Sequence, residues 1–125
     1  MFKTRPPQDA DAAFVLNSWL KSQRYKYGQL RDAEYFDPYK DVIASLISRS
    51  NIVIATPEDD ETTIIGYVVF DKESVHFAYI KYPFRKMGIA RNLRELLPET
   101  IKYATIHHAI NDKMKLIFNP LKVYT

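Results

Sequence analysis

The chain contains no cysteine, which removes disulfides, thiolate metal sites and a cysteine nucleophile together. It also lacks any apolar run long enough to cross a bilayer. Its start, M-F-K-T-R-P-P, has no apolar centre of the kind a secretory leader needs, so a cytoplasmic location is the simplest expectation. Glycine is scarce, at Gly28, Gly66 and Gly88 only, and no repeat, low-complexity segment or linker breaks the chain. A large charge of one sign is missing too: 18 basic residues against 15 acidic leave a net +3, too little to argue for nucleic-acid binding. What remains is 125 residues, 46% hydrophobic and 14% aromatic, enough for one globular domain with one core.

The basic residues are not spread evenly. Within residues 75–97, Lys81, Arg85, Lys86, Arg91 and Arg94 occur with no acidic residue before Glu95. The segment opens as a β-rich run (Val75, Phe77, Tyr79, Ile80), passes a short loop with Pro83 and Gly88, and closes with Ile89, Ala90, Leu93, Leu96 and Leu97 at helical spacing. A strand, a basic loop and a helix start aim unpaired amides and a positive dipole end at one point, which suits a phosphate. Cations at a helix start oppose the macrodipole, so an anion is expected to offset them.

Along the rest of the chain, residues 2–5 read as a first strand stopped by Pro6 and Pro7. Asp9 or Asp11 offers a cap for an amphipathic helix over residues 9–24, built on Ala12, Val15, Leu16, Trp19 and Leu20. Residues 25–37 read as an aromatic-rich loop, and Asp37 and Pro38 as the start of a second helix with Tyr39, Val42, Ile43, Leu46 and Ile47 on its buried side. Strands follow over 52–56 and 62–70, the latter with Gly66 as a bulge or close-approach point, and then comes the segment strand. Short connections make these three an antiparallel meander. The helix over 88–97 ends before Pro98 and acts as a crossover to a parallel strand over 103–107. A helical turn over 109–113 and a final strand over 115–118 complete the expectation, although residues 121–124 could supply that last strand instead, or none could.

Arg85-Lys86-Met87-Gly88-Ile89-Ala90, preceded by Phe84 and a strand ending Tyr79-Ile80-Lys81, resembles the acetyl-coenzyme A signature of the GNAT acetyltransferase superfamily, V-x-P-x-[YF]-R-x-x-G-x-[GA]. Pro83 is displaced by one position, and Ala90 stands for the last glycine. The order β-α-α-β-β-β-α-β resembles the GNAT fold over nearly the whole chain. The fold class expected is therefore α+β: a mixed, mostly antiparallel twisted sheet, two N-terminal helices, one crossover helix and an abbreviated C-terminal part. The stretch H-F-A-Y-I-K in a small domain also resembles GNAT-like proteins encoded by bacteriophages.

The resemblance implies acetyl-CoA as co-substrate. Ala78, Tyr79 and Ile80 would face the pantetheine arm, and Arg85, Lys86, Met87, Gly88, Ile89 and Ala90 would cradle the pyrophosphate, with Arg91 as a further phosphate contact. Gly88 permits close backbone approach there. The implied reaction is direct acetyl transfer to an amine, on a protein or a small molecule. It needs two substrates held together, a base for the amine proton and a group that stabilises the leaving thiolate.

His76 lies near the place where relatives carry a carboxylate base, and a histidine can do that work. A histidine packed among Phe and Tyr on a sheet face is the competing account. His107 and His108 follow the next strand, and at most one of them can face the thioester. No carboxylate is spaced to complete a metal site with these histidines. Asn111 fits the family's asparagine. The family's tyrosine acid falls on Phe118, which cannot donate a proton, so Tyr124 or Tyr103 would have to substitute. Asp32, Glu34 and Asp37, with the tyrosines of residues 25–36, could receive a cationic amine or could be ordinary surface. The alternative function is an inactive GNAT-fold module that binds a protein partner, with or without CoA. A nucleic-acid groove has little support because the cations sit in one turn, and a homodimer supplying the last strand stays open.

Overall fold

A computed structural model describes residues 1–107 and 109–124, without the side chains of Ala109 and Ile110. The elements run β1 (Phe2–Arg5), α1 (Asp11–Gln23), α2 (Asp32–Arg49), β2 (Asn51–Pro57), β3 (Gly66–Phe70), β4 (Ser74–Ile80), α3 (Ile89–Glu95), β5 (Tyr103–Ala104), α4 (Ala109–Met114) and β6 (Ile117–Phe118), with 3-10 turns at Arg24–Tyr27, Tyr82–Phe84 and Pro120–Tyr124. The six strands form one sheet in chain order. The first four strands pair antiparallel, while β4, β5 and β6 run parallel. This is the mixed, mostly antiparallel sheet with a crossover helix that the residue pattern predicts. Among the described residues no helix is long and apolar enough to cross a membrane.

Alternation along the strands divides the core into two layers. Ile52, Ile54, Tyr67, Val69 and Phe77 pack under α1 and α2 against Val15, Trp19, Tyr35, Ile43 and Leu46. Ala55, Val68, Phe70 and Val75 pack on the other face with Ile89 and Leu93 of α3 and with Leu97 just after it. Val75 and Phe77 share a parity yet face opposite layers, because Val69 pairs with Phe77 while Phe70 pairs with Val75. His76 is the extra residue of this β-bulge, which turns the strand over by one position.

Several local expectations shift. The second helix starts at Asp32, ahead of the start that Asp37 and Pro38 suggest, because the Glu34 carboxylate accepts the Arg31 backbone N–H at 2.8 Å and the apolar stripe extends back to Tyr35. Pro38 sits inside the helix on its exposed side. Asp11 is not a side-chain cap; its carboxylate holds the Arg5 guanidinium at 2.7 and 3.1 Å, and that pairing keeps the Asp11 carboxyl below its ordinary range. Gly66 opens β3 rather than lying within it. It is the close-approach point: a Cβ there would meet Tyr79 O and Ile80 Cδ1 at 2.9 Å. The parallel strand shrinks from residues 103–107 to Tyr103–Ala104, and the last strand is Ile117–Phe118, with residues 120–124 in a 3-10 turn.

Candidate active site

Strand β5 pairs with β4 only at Ser74 and Val75 and then diverges. Beyond that point β4 continues to Ile80 with β3 as its one strand neighbour among the described residues. The divergence opens a cleft of about 840 Å³, within the range of small-molecule sites. Phe77, Ala78, Tyr79 and Ile80 form one wall. The loop and helix residues Arg85, Lys86, Gly88, Ile89, Ala90 and Arg91 form its outer end. The end of α1 and the turn after it close the inner side with Gln23, Tyr25 and Lys26, opposite His107.

The outer end has the backbone of an anion cradle. Lys86 and Gly88 both have positive φ, 68° and 85°, so the loop alternates hand within three residues. An αL residue that is not glycine stores strain and marks ligand-binding loops. The first helical bond runs from the Asn92 N–H to Gly88 O at 3.0 Å. Ahead of it, the amides of Gly88, Ile89, Ala90 and Arg91 have no protein acceptor among the described residues. Nothing lies within 4 Å of where a Gly88 Cβ would stand, so the space over the loop is open. The Arg85 guanidinium donates to Ile80 O at 3.1 Å and lies 5.3 Å from the Tyr82 ring, joining the loop to the end of β4. The cleft thus offers directed amides and a cluster of cations to phosphates, and beside them the end of β4 as an elongated wall.

Of the residues singled out for the cofactor, all but two line this cleft. Met87 is exposed and its side chain is not among the walls. Asn111 lines a neighbouring recess of about 460 Å³ together with Tyr25, Lys26, His107, Asp112, Leu116 and Phe118. Its amide group donates to Ile106 O at 2.9 Å, which fixes the turn after β5.

His76 is corrected. It is fully buried and lines neither recess. Its Nε2–H donates to Asp71 Oδ2 at 2.7 Å, and its Nδ1 accepts the Thr105 hydroxyl at 3.0 Å, the pairing that suits a neutral ring. Burial first of all pushes its pKa below the ordinary value, partly opposed by Asp71. With both nitrogens occupied, it ties the ends of β3 and β5 to the bulge of β4 and is not placed to take a proton from an amine.

Tyr124 is corrected as well, since it is 78% exposed in the final 3-10 turn and lines neither recess. Tyr103 is no nearer: it sits under the Lys122 ammonium and lines neither recess. His107 stands at the junction of both, with its ring stacked on Phe118 at 3.8 Å. His108 lies outside the described residues. Asp32 and Glu34 pair with Arg24 and Arg31 at 3.1 and 3.2 Å and, like Asp37, stay outside the cleft. Of the aromatics in this stretch, Tyr35 is buried, and Tyr27 and the helix residue Tyr39 pack with it at centroid distances of 5.5 to 5.9 Å, while Tyr25 stays exposed.

Lys26 and Gln23 were not anticipated. Lys26 Nζ donates to His107 O at 2.9 Å, bridging 81 residues of chain across the cleft. Burial lowers its pKa from the ordinary lysine value. Nothing local distinguishes Lys26 in a basic sequence; its place depends on α1 ending at Gln23 and the next turn tightening to 3-10 geometry.

No family model and no curated protein matches the chain. Solved structures do. A possible acetyltransferase from Clostridium difficile 630 superposes with a TM-score of 0.59 at 13% identity, over 92% of this chain and 86% of the other. YjaB from Escherichia coli gives 0.56 at 20% identity, over 76% and 63%. An acetyltransferase of the GNAT family from Staphylococcus aureus Mu50 gives 0.50 at 11% identity, over 76% and 62%. The chain therefore spans under two thirds of the latter two. At such identities it is the backbone that is alike: the chain has the fold of the GNAT acetyltransferases.

Proposed function

We propose that this protein is a cytoplasmic acetyl-CoA-dependent N-acetyltransferase. The observation that carries the reading is one cleft that joins the end of β4, past its pairing with β5, to a loop rich in cations whose amides have no acceptor among the described residues. A pyrophosphate fits the outer end, where the amides from Gly88 to Arg91 supply donors and Arg85, Lys86 and Arg91 supply charge. An extended pantetheine arm fits beside residues 78–80. That leaves the acyl group at the inner end, near Phe77, Gln23, Lys26 and His107.

The second recess opens on this inner end through Tyr25, Lys26 and His107, and it is the route for the amine. Asp112 on its wall would attract a cationic acceptor. Holding the amine nitrogen against the acyl carbon supplies much of the rate, because direct transfer between two bound substrates needs no covalent nucleophile. His107 is the titratable group best placed to receive the amine proton.

Acetyl-CoA at a hundredfold excess over its Kd should stabilise the parent by about 2.7 kcal/mol in a thermal-shift measurement. The same addition should leave Gly88→Trp unmoved, because the indole would occupy the space over the loop. Release of free thiol with a panel of amines then measures turnover. A parent that acetyl-CoA does not shift would overturn the proposal. A second reading, a CoA-binding module without turnover, is favoured by the absence of a phenol at Phe118; binding with no thiol release would select it.

A further inference from the structure

We infer that Lys26 is the group that protonates the leaving sulfur. The inference rests on the acyl-transfer reading and names the acid which that reading leaves unassigned. Phe118 has no proton to give, Tyr124 and Tyr103 lie away from both recesses, and His76 is enclosed. Lys26 belongs to the walls of both recesses, and its ammonium sits at their junction, 2.9 Å from His107 O. That carbonyl takes one of its three N–H donors, and no other acceptor is bonded to it among the described residues. Tyr25, His107, Asp112 and Lys113 are the other titratable groups at this end of the cleft.

The step balances without any further reagent. The neutral amine nitrogen attacks the thioester carbonyl, the C–N bond forms, and the C–S bond breaks with its electron pair on sulfur. Lys26 Nζ gives a proton to that sulfur, so the product leaves as a thiol. The surplus proton on the new amide nitrogen passes to His107 and from it returns to the neutral Lys26 amine. Partial burial of the ammonium brings its pKa down toward the working range, which favours the transfer.

A strut that merely joins two loops would have the same hydrogen bond, so the test must read the sulfur. Free CoA is bound to the parent, Lys26→Met and Lys26→Arg, and the thiolate absorbance is followed with pH. In the parent and in the arginine variant the bound thiol should ionise at least about one unit below free CoA, and in the methionine variant it should not. Both variants should lose about a hundredfold in kcat with little change in the KM for acetyl-CoA, because arginine keeps its proton.

Equal thiol titrations in the parent and Lys26→Met would overturn the inference while leaving acetyl-CoA binding intact. So would an arginine variant as active as the parent, or a parent that binds CoA but releases no thiol with any amine. Failure of CoA to bind the parent would instead remove the underlying acyl-transfer reading.

Discussion

At Ser74 and Val75 strand β4 lies between β3 and β5, and a buried histidine bonds it to both neighbouring strand ends. From Phe77 to Ile80 it borders a cleft on one side and β3 on the other. The same seven-residue strand is thus a clamp at one end and a cleft-facing edge at the other. The bulge at His76 separates the two regimes.

Three substitutions would break this contrast in different places. Gly66→Val should have the largest effect, about 3 kcal/mol less stable in urea unfolding, because a Cβ at Gly66 would run into the Tyr79 carbonyl, which is backbone and cannot swing aside. Displacing Tyr79 and Ile80 should also weaken acetyl-CoA binding; an unchanged unfolding midpoint would show that the two strands are not held at that distance.

His76→Leu comes next, with a loss of about 2 kcal/mol at pH 7.5 as the buried Thr105 hydroxyl loses its partner. Its pH dependence sharpens the point. The folded pKa of His76 is depressed, so the unfolded chain takes up the proton first. The contribution of the neutral ring is intact above about pH 6.5 and is lost as pH falls through the folded value. The parent should therefore lose more stability between pH 7.5 and pH 5 than the leucine variant. Parallel melting curves would contradict the assignment of His76 to the clamp.

Tyr124→Phe should have the smallest effect, with turnover and melting temperature unchanged, since the ring is exposed and distant from both recesses. A clear fall in kcat would mean that the last turn folds over the cleft during the reaction.

Most of the architecture was legible because it is written in short-range patterns. Alternating apolar residues gave the strands, 3.6-residue spacing gave α1 and α3, and one glycine in a run of cations gave the loop. Pro38 misled because a proline at a helix start and one on the exposed side of an early turn look alike without the tertiary stripe that extends back to Tyr35. The histidines could not be sorted from sequence for a related reason. His76 and His107 both read as lying on or just after a strand. What separates them is a bulge created by strand pairing and a divergence created by β5, and both depend on residues far apart in the chain. Lys26 was invisible on the same grounds.

Strands occupy the sheet in the order in which they are synthesised, from β1 to β6. A chain growing from its N-terminus never has to thread a strand between two already joined, since each arrival docks on the rim left by the one before. The mouth of the cleft exists only once the fifth strand arrives and turns away. Until then that rim of β4 is simply the leading margin of a half-made protein, which makes the final quarter of the chain as much a guard for that margin as a part of the site.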